Sequence, residues 1–263
     1  MFASELTAQR RSQLREAAEI FLAARREGKW ITELPEALRP ISQQEVYFIQ
    51  DRVAEGFGEL TGWKIGAPAP DAVPAYAPMP RALGFGESGS LLSANGPRHY
   101  RGVEAEIAFC LKQDLPPRPT PYTRDEILQA IGSCHPAIEV LESAFADPDG
   151  SDPQSVNADL QFNGGFFYGA AVANWKSISI AEEKVAMIVD GSVRVEGTGS
   201  ITNGPDILRL LLYLANDAAP RTGGLKAGQW ITTGSWTGKT LAVSGSEAVA
   251  KFAHFGTCEI RFA

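Results

Sequence analysis

The sequence predicts an α+β fold, with a helical segment over residues 1–60 and a sheet-rich domain over residues 61–263. Three observations predict it. Before residue 60, Ala, Leu and Phe recur at spacings of three and four, with Arg and Glu between them. From "TGWKIGAPAP" (61–70) onward, Gly and Pro punctuate short apolar runs. The strands so marked do not alternate regularly with helices, which disfavours a doubly wound parallel sheet.

The elements follow in order. An amphipathic helix is expected from Ser4 to about Lys29, then a Pro-bearing connector, "ITELPEALRP". "SQQE" at Ser42–Glu45 is a capping-box pattern and opens a second helix to about Phe57. Strands are expected at Gly62–Ile65, Val103–Leu111, Ala137–Leu141, Gly165–Ala173, Val185–Val189, Val193–Gly197, Gln229–Thr233, Leu241–Val243 and Cys258–Phe262. "VDGS" at Val189–Ser192 is an Asp-Gly hairpin turn. Two helices interrupt the strands. One opens at the capping box Thr123–Glu126, the other follows "NGP" and runs through "DILRLLLYLAND".

The bulk numbers exclude several function classes. The formal charge of −7 lacks the clustered Lys and Arg of a nucleic-acid footprint. The one local basic run, "RREGK" at Arg25–Lys29, reads as a solvated helix face. The longest apolar run, "LRLLLYLA", holds an Arg and falls far short of a membrane span. Cys110, Cys134 and Cys258 are odd in number and widely spaced, so neither a disulfide framework nor a zinc knuckle is expected. The charged, helical start is no signal peptide. These features point to a soluble, cytoplasmic protein.

"VEAEIAFCL" (103–111) is apolar at nearly every position, yet carries Glu104 and Glu106. On a strand they share one face, while Val103, Ala105, Ile107 and Phe109 take the other. On spacing alone, the wet face of an alternating strand accounts for both. "HPAIEVLES" (135–143) then places Glu139 among apolar neighbours on a second short strand. Three carboxylates on two such strands suit a hard cation, Mg²⁺ or Mn²⁺. No EF-hand-like loop favours calcium, and no His stands near the pair to favour zinc. His135 reads as a hydrogen-bonded structural histidine.

Other motifs carry less. Lys64 in "GWKIG" (62–66) reads either as a snorkelling edge-strand lysine or as a proton-exchanging group among apolar neighbours. "GFGESG" (84–89) matches GxGxxG formally, but no helix is expected after it, so it reads as a turn rather than a dinucleotide site. "TTGSWTGKT" (232–240) offers backbone amides and the hydroxyls of Ser235 and Thr237 to a carboxylate, or is an ordinary polar turn.

Taken together and in order, "GWKIG", "VEAEIAFCLKQDLP", "HPAIEVLES", "ADLQFNGGFFYG", "GSWT" and "GTCEIRFA" resemble the fumarylacetoacetate hydrolase superfamily, and within it the 2-keto-4-pentenoate hydratase and 4-oxalocrotonate decarboxylase branch. The resemblance runs from about Thr61 to the C-terminus, and the helical start also fits. It implies a mixed β-sandwich-like roll and a bound Mg²⁺ or Mn²⁺. It puts the metal ligands on Glu104, Glu106 and Glu139, the active-site lysine on Lys64 and the substrate loop on Ser235, with Thr237 beside it.

The resemblance further implies homo-oligomers, substrates that are small 2-oxo acids from aromatic-ring breakdown, and a possible complex with a partner enzyme. The activity so implied is a lyase, a hydratase adding water to a 2-hydroxy-2,4-dienoate, with Lys64 and Glu106 catalytic. The alternatives are a decarboxylase of a 2-oxo-enedioate, with Arg81 or Arg101 holding the far carboxylate, a C–C hydrolase of an acylpyruvate, and a non-catalytic metabolite-binding member. The chain departs from the branch at Pro78, where an Asp is usual, and at Leu160, where an Asn is usual.

Overall fold

A computed structural model describes residues 6–92, 97–200, 204 and 206–263. Helix α1 (Ala8–Glu27) is opened by Thr7, whose hydroxyl accepts the Arg10 amide at 3.1 Å, and closed by Gly28 at φ 69°. The expected start at Ser4 lies outside the described residues. Helix α2 (Gln43–Phe57) is capped by the Ser42 hydroxyl, as its sequence predicts. The reciprocal half of the capping box is absent. The Glu45 carboxylate instead accepts the Ile41 amide at 2.8 Å and grips Arg10 with both oxygens. The two helices join Leu14, Ala17 and Phe21 to Val46, Ile49 and Val53, and this seam continues onto Ala144, Phe145 and Leu160.

Along the rest of the chain come β1 (Leu60–Gly66), β2 (Ala75–Pro80), β3 (Phe85–Glu87), β4 (Ser90–Leu92), β5 (Gly102–Leu111), α3 (Arg124–Ala130) and β6 (Ile131–Leu141). Next are α4 (Pro153–Ala158), β7 (Asn163–Tyr168), β8 (Lys184–Val189), β9 (Ser192–Thr198), α5 (Leu208–Asn216) and α6 (Ala219–Thr222). The chain closes with β10 (Trp230–Thr232), β11 (Thr240–Leu241), β12 (Glu247–Phe252) and β13 (Gly256–Phe262).

One sheet runs β2-β1-β10-β5-β6-β7-β3, with β11 also on β5, and the other runs β4-β13-β12-β8-β9. Both are mixed: β1–β10, β3–β7 and β4–β13 pair in parallel and the remaining pairs are antiparallel. The expected α+β class and sandwich-like roll hold. One face of β5 sends Val103, Ala105, Ile107 and Phe109 into a core shared with Val185, Met187, Ala248, Ala250 and Ile260 of the second sheet. Each large side chain so buried contributes roughly 1.5–3 kcal/mol. The other face of β5 carries Glu104, Glu106 and Ala108, and there Ala108 packs with Met79, Ala137, Phe166 and Trp230.

Several elements differ from expectation. Strand β2, "AYAPMP", carries two prolines and so was not expected. It sits at the sheet edge, pairing with β1 only, where a missing N–H is tolerated. Strand β12 alternates small Ala248 and Ala250 inward, a weak apolar signal. The stretch "GFGESG" forms β3 and the turn to β4, carrying the chain from one sheet to the other. The "NGP" signal before α5 falls partly outside the described residues. At the "VDGS" hairpin, Asp190 and Gly191 both have positive φ, 52° and 72°, as an Asp-Gly turn requires.

Candidate active site

Strands β5 and β6 pair antiparallel with Glu104 opposite Glu139 and Glu106 opposite Ala137. Side chains two apart share a face, so all three carboxylates stand together. One oxygen from each lies within 4.8 Å of the others. Strand β1 reaches this group through β10, with Lys64 in register with Thr232. That approach needs Gly62, because a Cβ there would stand 1.8 Å from the Trp230 carbonyl oxygen.

Lys64 Nζ lies 2.8 Å from Glu139 Oε1 and donates to the Gln161 carbonyl at 2.7 Å. Asn163 Nδ2 donates to the same Glu139 oxygen at 3.1 Å. Glu139 Oε2 is buried and has no hydrogen-bond partner among the described residues. Glu106 Oε2 accepts from the Gly234 amide at 2.8 Å and from the Thr232 hydroxyl. Ser235 stands beside Glu104 and favours its charged form.

The electrostatics follow from crowding. Burial raises the Glu104 carboxyl to about 7, helped by Glu139 and opposed by Lys64. Burial, then Glu139 and Glu104, push Glu106 well above the usual carboxylate range. Burial works to lower the Lys64 ammonium, but Glu139, Glu104 and Glu106 outweigh it and the net direction is up. Without a cation the carboxylates thus hold Lys64 as the ammonium.

The group opens into a cavity of about 300 Å³ bounded by Lys64, Glu104, Glu106, Glu139, Gln161 and Ser235. An adjoining cavity of about 370 Å³ shares Lys64, Glu104 and Gln161 and adds Phe162, Asp149 and Lys239. With all three carboxylates ionised, the one ammonium would leave two formal negative charges to be met. Together with the orphaned Glu139 oxygen and the all-oxygen donors, this fits a hard divalent cation.

Leu160, Gln161 and Phe162 are three successive non-glycine residues with left-handed φ of 54°, 50° and 67°. Such a residue costs on the order of 1–3 kcal/mol, so the surroundings must impose the turn. Arg25 of α1 bonds the residues on both sides of it. Arg25 is buried, so the reading of "RREGK" as a solvated helix face fails at Arg25 but holds at exposed Arg26, Glu27 and Lys29. Its guanidinium bonds Asp159 Oδ1 at 2.6 Å and the Asn163 carbonyl at 2.9 Å. Sequence spacing missed this because Arg25 meets residues more than a hundred positions away.

Other expected residues fall as follows. The Thr237 hydroxyl accepts the Ala105 amide at 3.3 Å and donates to the Gly238 carbonyl, tying the loop to β5. Arg81 pairs with Glu59 and stacks on Phe85, and neither Arg81 nor Arg101 bounds the two cavities. Pro78 is buried opposite Trp63, and Leu160 is buried in the helical seam. His135 bonds the Gly169 carbonyl and the Ser133 hydroxyl, the structural role its sequence suggests. Lys239, Gln161 and Asn163 were not foreseen as site residues.

No protein-family model matches the chain. It is 29% identical over 160 residues to 2-hydroxyhexa-2,4-dienoate hydratase of Comamonas testosteroni, covering 61% of this chain and 59% of that protein. The match thus spans about three fifths of that relative's length. It is 26% identical over 236 residues to 2-keto-4-pentenoate hydratase of Paraburkholderia xenovorans LB400, covering 85% of each. Among solved structures, 4-oxalocrotonate decarboxylase from Pseudomonas putida G7, complexed with magnesium and adipate, superposes with TM-score 0.80 at 23% identity. That match covers 99% of this chain and 100% of the other. A Yersinia pestis CO92 protein assigned to the fumarylacetoacetate hydrolase family gives TM-score 0.55 at 16% identity, covering 76% of this chain and 91% of the other. The structural likenesses establish the fold. The curated relatives carry the hydratase names that the sequence motifs lead one to expect. Among the described residues, no helix is long and apolar enough to cross a membrane.

Proposed function

We propose that this chain is a divalent-metal-dependent lyase of small 2-oxo acids, a hydratase that adds water to a 2-hydroxy-2,4-dienoate to give a 4-hydroxy-2-oxo acid. The observation that carries the reading is the group of Glu104, Glu106 and Glu139 around one cavity, with Lys64 against Glu139. The names of the relatives support the reaction class.

Glu104, Glu106 and Glu139 would hold Mg²⁺ or Mn²⁺. Such an ion supplies Lewis-acid polarisation of the C2 oxygen and anchors the C1 carboxylate. The chain's own groups do the rest. Ser235, on the cavity wall, contacts a substrate carboxylate oxygen, and Thr237 keeps its loop against β5. Lys64, held protonated by the carboxylates, gives a proton to C5 and, as the amine so formed, takes up the proton that the C2 hydroxyl loses, converting the dienol to a 2-oxo-3-enoate. Water then adds across C3 and C4, its oxygen to C4 and its proton to C3. Glu106, fixed through one oxygen by Gly234 and Thr232, would offer its other oxygen to the cation. We further read the enzyme as a cytoplasmic homo-oligomer, working beside a partner enzyme of aromatic-ring breakdown.

One observation favours a second reading. Lys239 bounds the adjoining cavity, where the far carboxylate of a 2-oxo-enedioate would lie, as a decarboxylase of such diacids needs.

The deciding experiment follows 2-hydroxypenta-2,4-dienoate by absorbance with Mg²⁺ or Mn²⁺, then with EDTA, and weighs the product. Metal-dependent loss of the dienol with gain of one water establishes the hydratase. No turnover, with Mn²⁺ still bound and a 2-oxo-enedioate losing CO₂, moves the assignment to the decarboxylase. No Mn²⁺ binding and no turnover of either overturns both.

A further inference from the structure

We propose that Arg25 is a positioning residue of this site, clamping both ends of the left-handed turn 160–162 from helix α1 so that Gln161 and Asn163 hold Lys64 and Glu139 in place. The inference rests on the reading of the carboxylate group as the active site. It makes the N-terminal helix part of the site's scaffolding.

Arg25 has five N–H donors and, among the described residues, makes four hydrogen bonds. They go to Asp159 Oδ1 at 2.6 Å, the Asp159 carbonyl at 3.1 Å, the Asn163 carbonyl at 2.9 Å and the Glu142 carbonyl at 3.1 Å. Asp159 and Asn163 are the residues that flank the turn. The second Asp159 oxygen accepts the Ala144 amide at 2.6 Å, so the near end of the turn is fixed on both sides. The far end is fixed because Asn163 gives its carbonyl to Arg25 and its side-chain amide to Glu139. Between the fixed ends the backbone is forced left-handed, which turns the Gln161 carbonyl onto Lys64 Nζ. Arg25 touches none of the three carboxylates in these contacts and acts on them through one intervening residue. Lysine carries the same charge, but with three donors on one atom it cannot span both ends.

The test compares Arg25→Lys with Leu14→Ala, a core truncation three turns earlier on the same helix. Mn²⁺ affinity is measured by calorimetry and amide exchange in the metal-free protein. The Glu142 amide reports the turn, since it donates to the Phe162 carbonyl at 2.8 Å, and the Ala144 amide reports Asp159. Arg25→Lys is expected to speed exchange at both amides and to weaken Mn²⁺ binding about tenfold or more. Leu14→Ala is expected to lower the melting temperature and leave both readouts unchanged.

Wild-type Mn²⁺ affinity and exchange in Arg25→Lys overturn the proposal, as does a Leu14→Ala variant with the same losses. Glycine adopts left-handed φ freely, so Arg25→Lys/Gln161→Gly should fold if the single variant does not, and should recover part of the affinity. Failure to recover any overturns the turn as the link. If wild-type protein binds no Mn²⁺, the metal reading falls on its own, and unchanged exchange at Glu142 still overturns the clamp.

Discussion

Glu104 and Glu139 stand directly opposite each other on neighbouring strands, and Glu106 follows on the same face. Like charges so placed destabilise a sheet pair, so the arrangement costs stability unless a cation meets it. In Glu106→Gln the Thr232 and Gly234 bonds can persist while one negative charge is lost. The fold should survive, and Mn²⁺ affinity and turnover should fall about a hundredfold or more. Calorimetry and the absorbance assay check this. Unchanged turnover in a folded variant would remove Glu106 from the site.

The site also sets a pH dependence. Glu104 sits at about 7 and Glu106 well above the usual carboxylate range, raised by burial first and by neighbouring carboxylates next, whereas unfolded glutamates titrate at about 4.3. Folded protein therefore keeps protons that the unfolded chain has released. Their stabilising contribution is complete below the unfolded value and is lost as pH rises through about 7 and beyond. In EDTA the melting temperature should fall between about pH 6 and about pH 8. Saturating Mn²⁺ should flatten that fall, because the ion takes the place of the protons. A flat EDTA profile in differential scanning calorimetry would refute the shifts.

On the proposed reading, Lys64 and a cation would compete for Glu139. Lys64→Met leaves the fully buried Glu139 carboxylate without its ion pair, a loss of about 3–5 kcal/mol for a broken buried pair. Metal-free protein should melt markedly lower. Mn²⁺ affinity should hold or rise, while kcat falls on the order of 10²–10⁴-fold. A variant that keeps its kcat would dismiss Lys64 as the proton donor.

Lys239 distinguishes the two reactions. It is exposed and paired with Asp149 at 2.6 Å, so Lys239→Ala should change stability by less than about 1 kcal/mol. On a 2-oxo-enedioate its KM should rise about tenfold, as loss of one charged contact predicts. On the mono-acid dienoate neither constant should move. Equal KM changes for both substrates would place Lys239 outside the far-carboxylate region.

Much of this was legible in the sequence. Glu104, Glu106 and Glu139 stand out because carboxylates are rare inside apolar strands, and period-2 alternation places the first two on one face. The long strands and the caps at Ser42 and Thr123 are local features, read locally. Arg25 was misread because its partners lie at Asp159, Glu142 and Asn163, and only the tertiary fold brings them to the helix. The left-handed turn left no signal, since Leu, Gln and Phe are not residues that announce positive φ. Lys239 looked like part of a polar loop until the second cavity put it beside Glu104.

The parallel pairing of β1 with β10 bears on the order of assembly during synthesis. Lys64 faces Thr232 with most of the chain between them, and such distant contacts close late in folding. A nascent chain that has emerged only as far as β9 already carries all three glutamates. It lacks β10, which bridges β1 to β5, and the loop amide that fixes Glu106. Cation uptake would therefore wait on release of the C-terminal strands and would report completed folding, whereas a fragment ending before Trp230 should neither hold the ion nor compete for it.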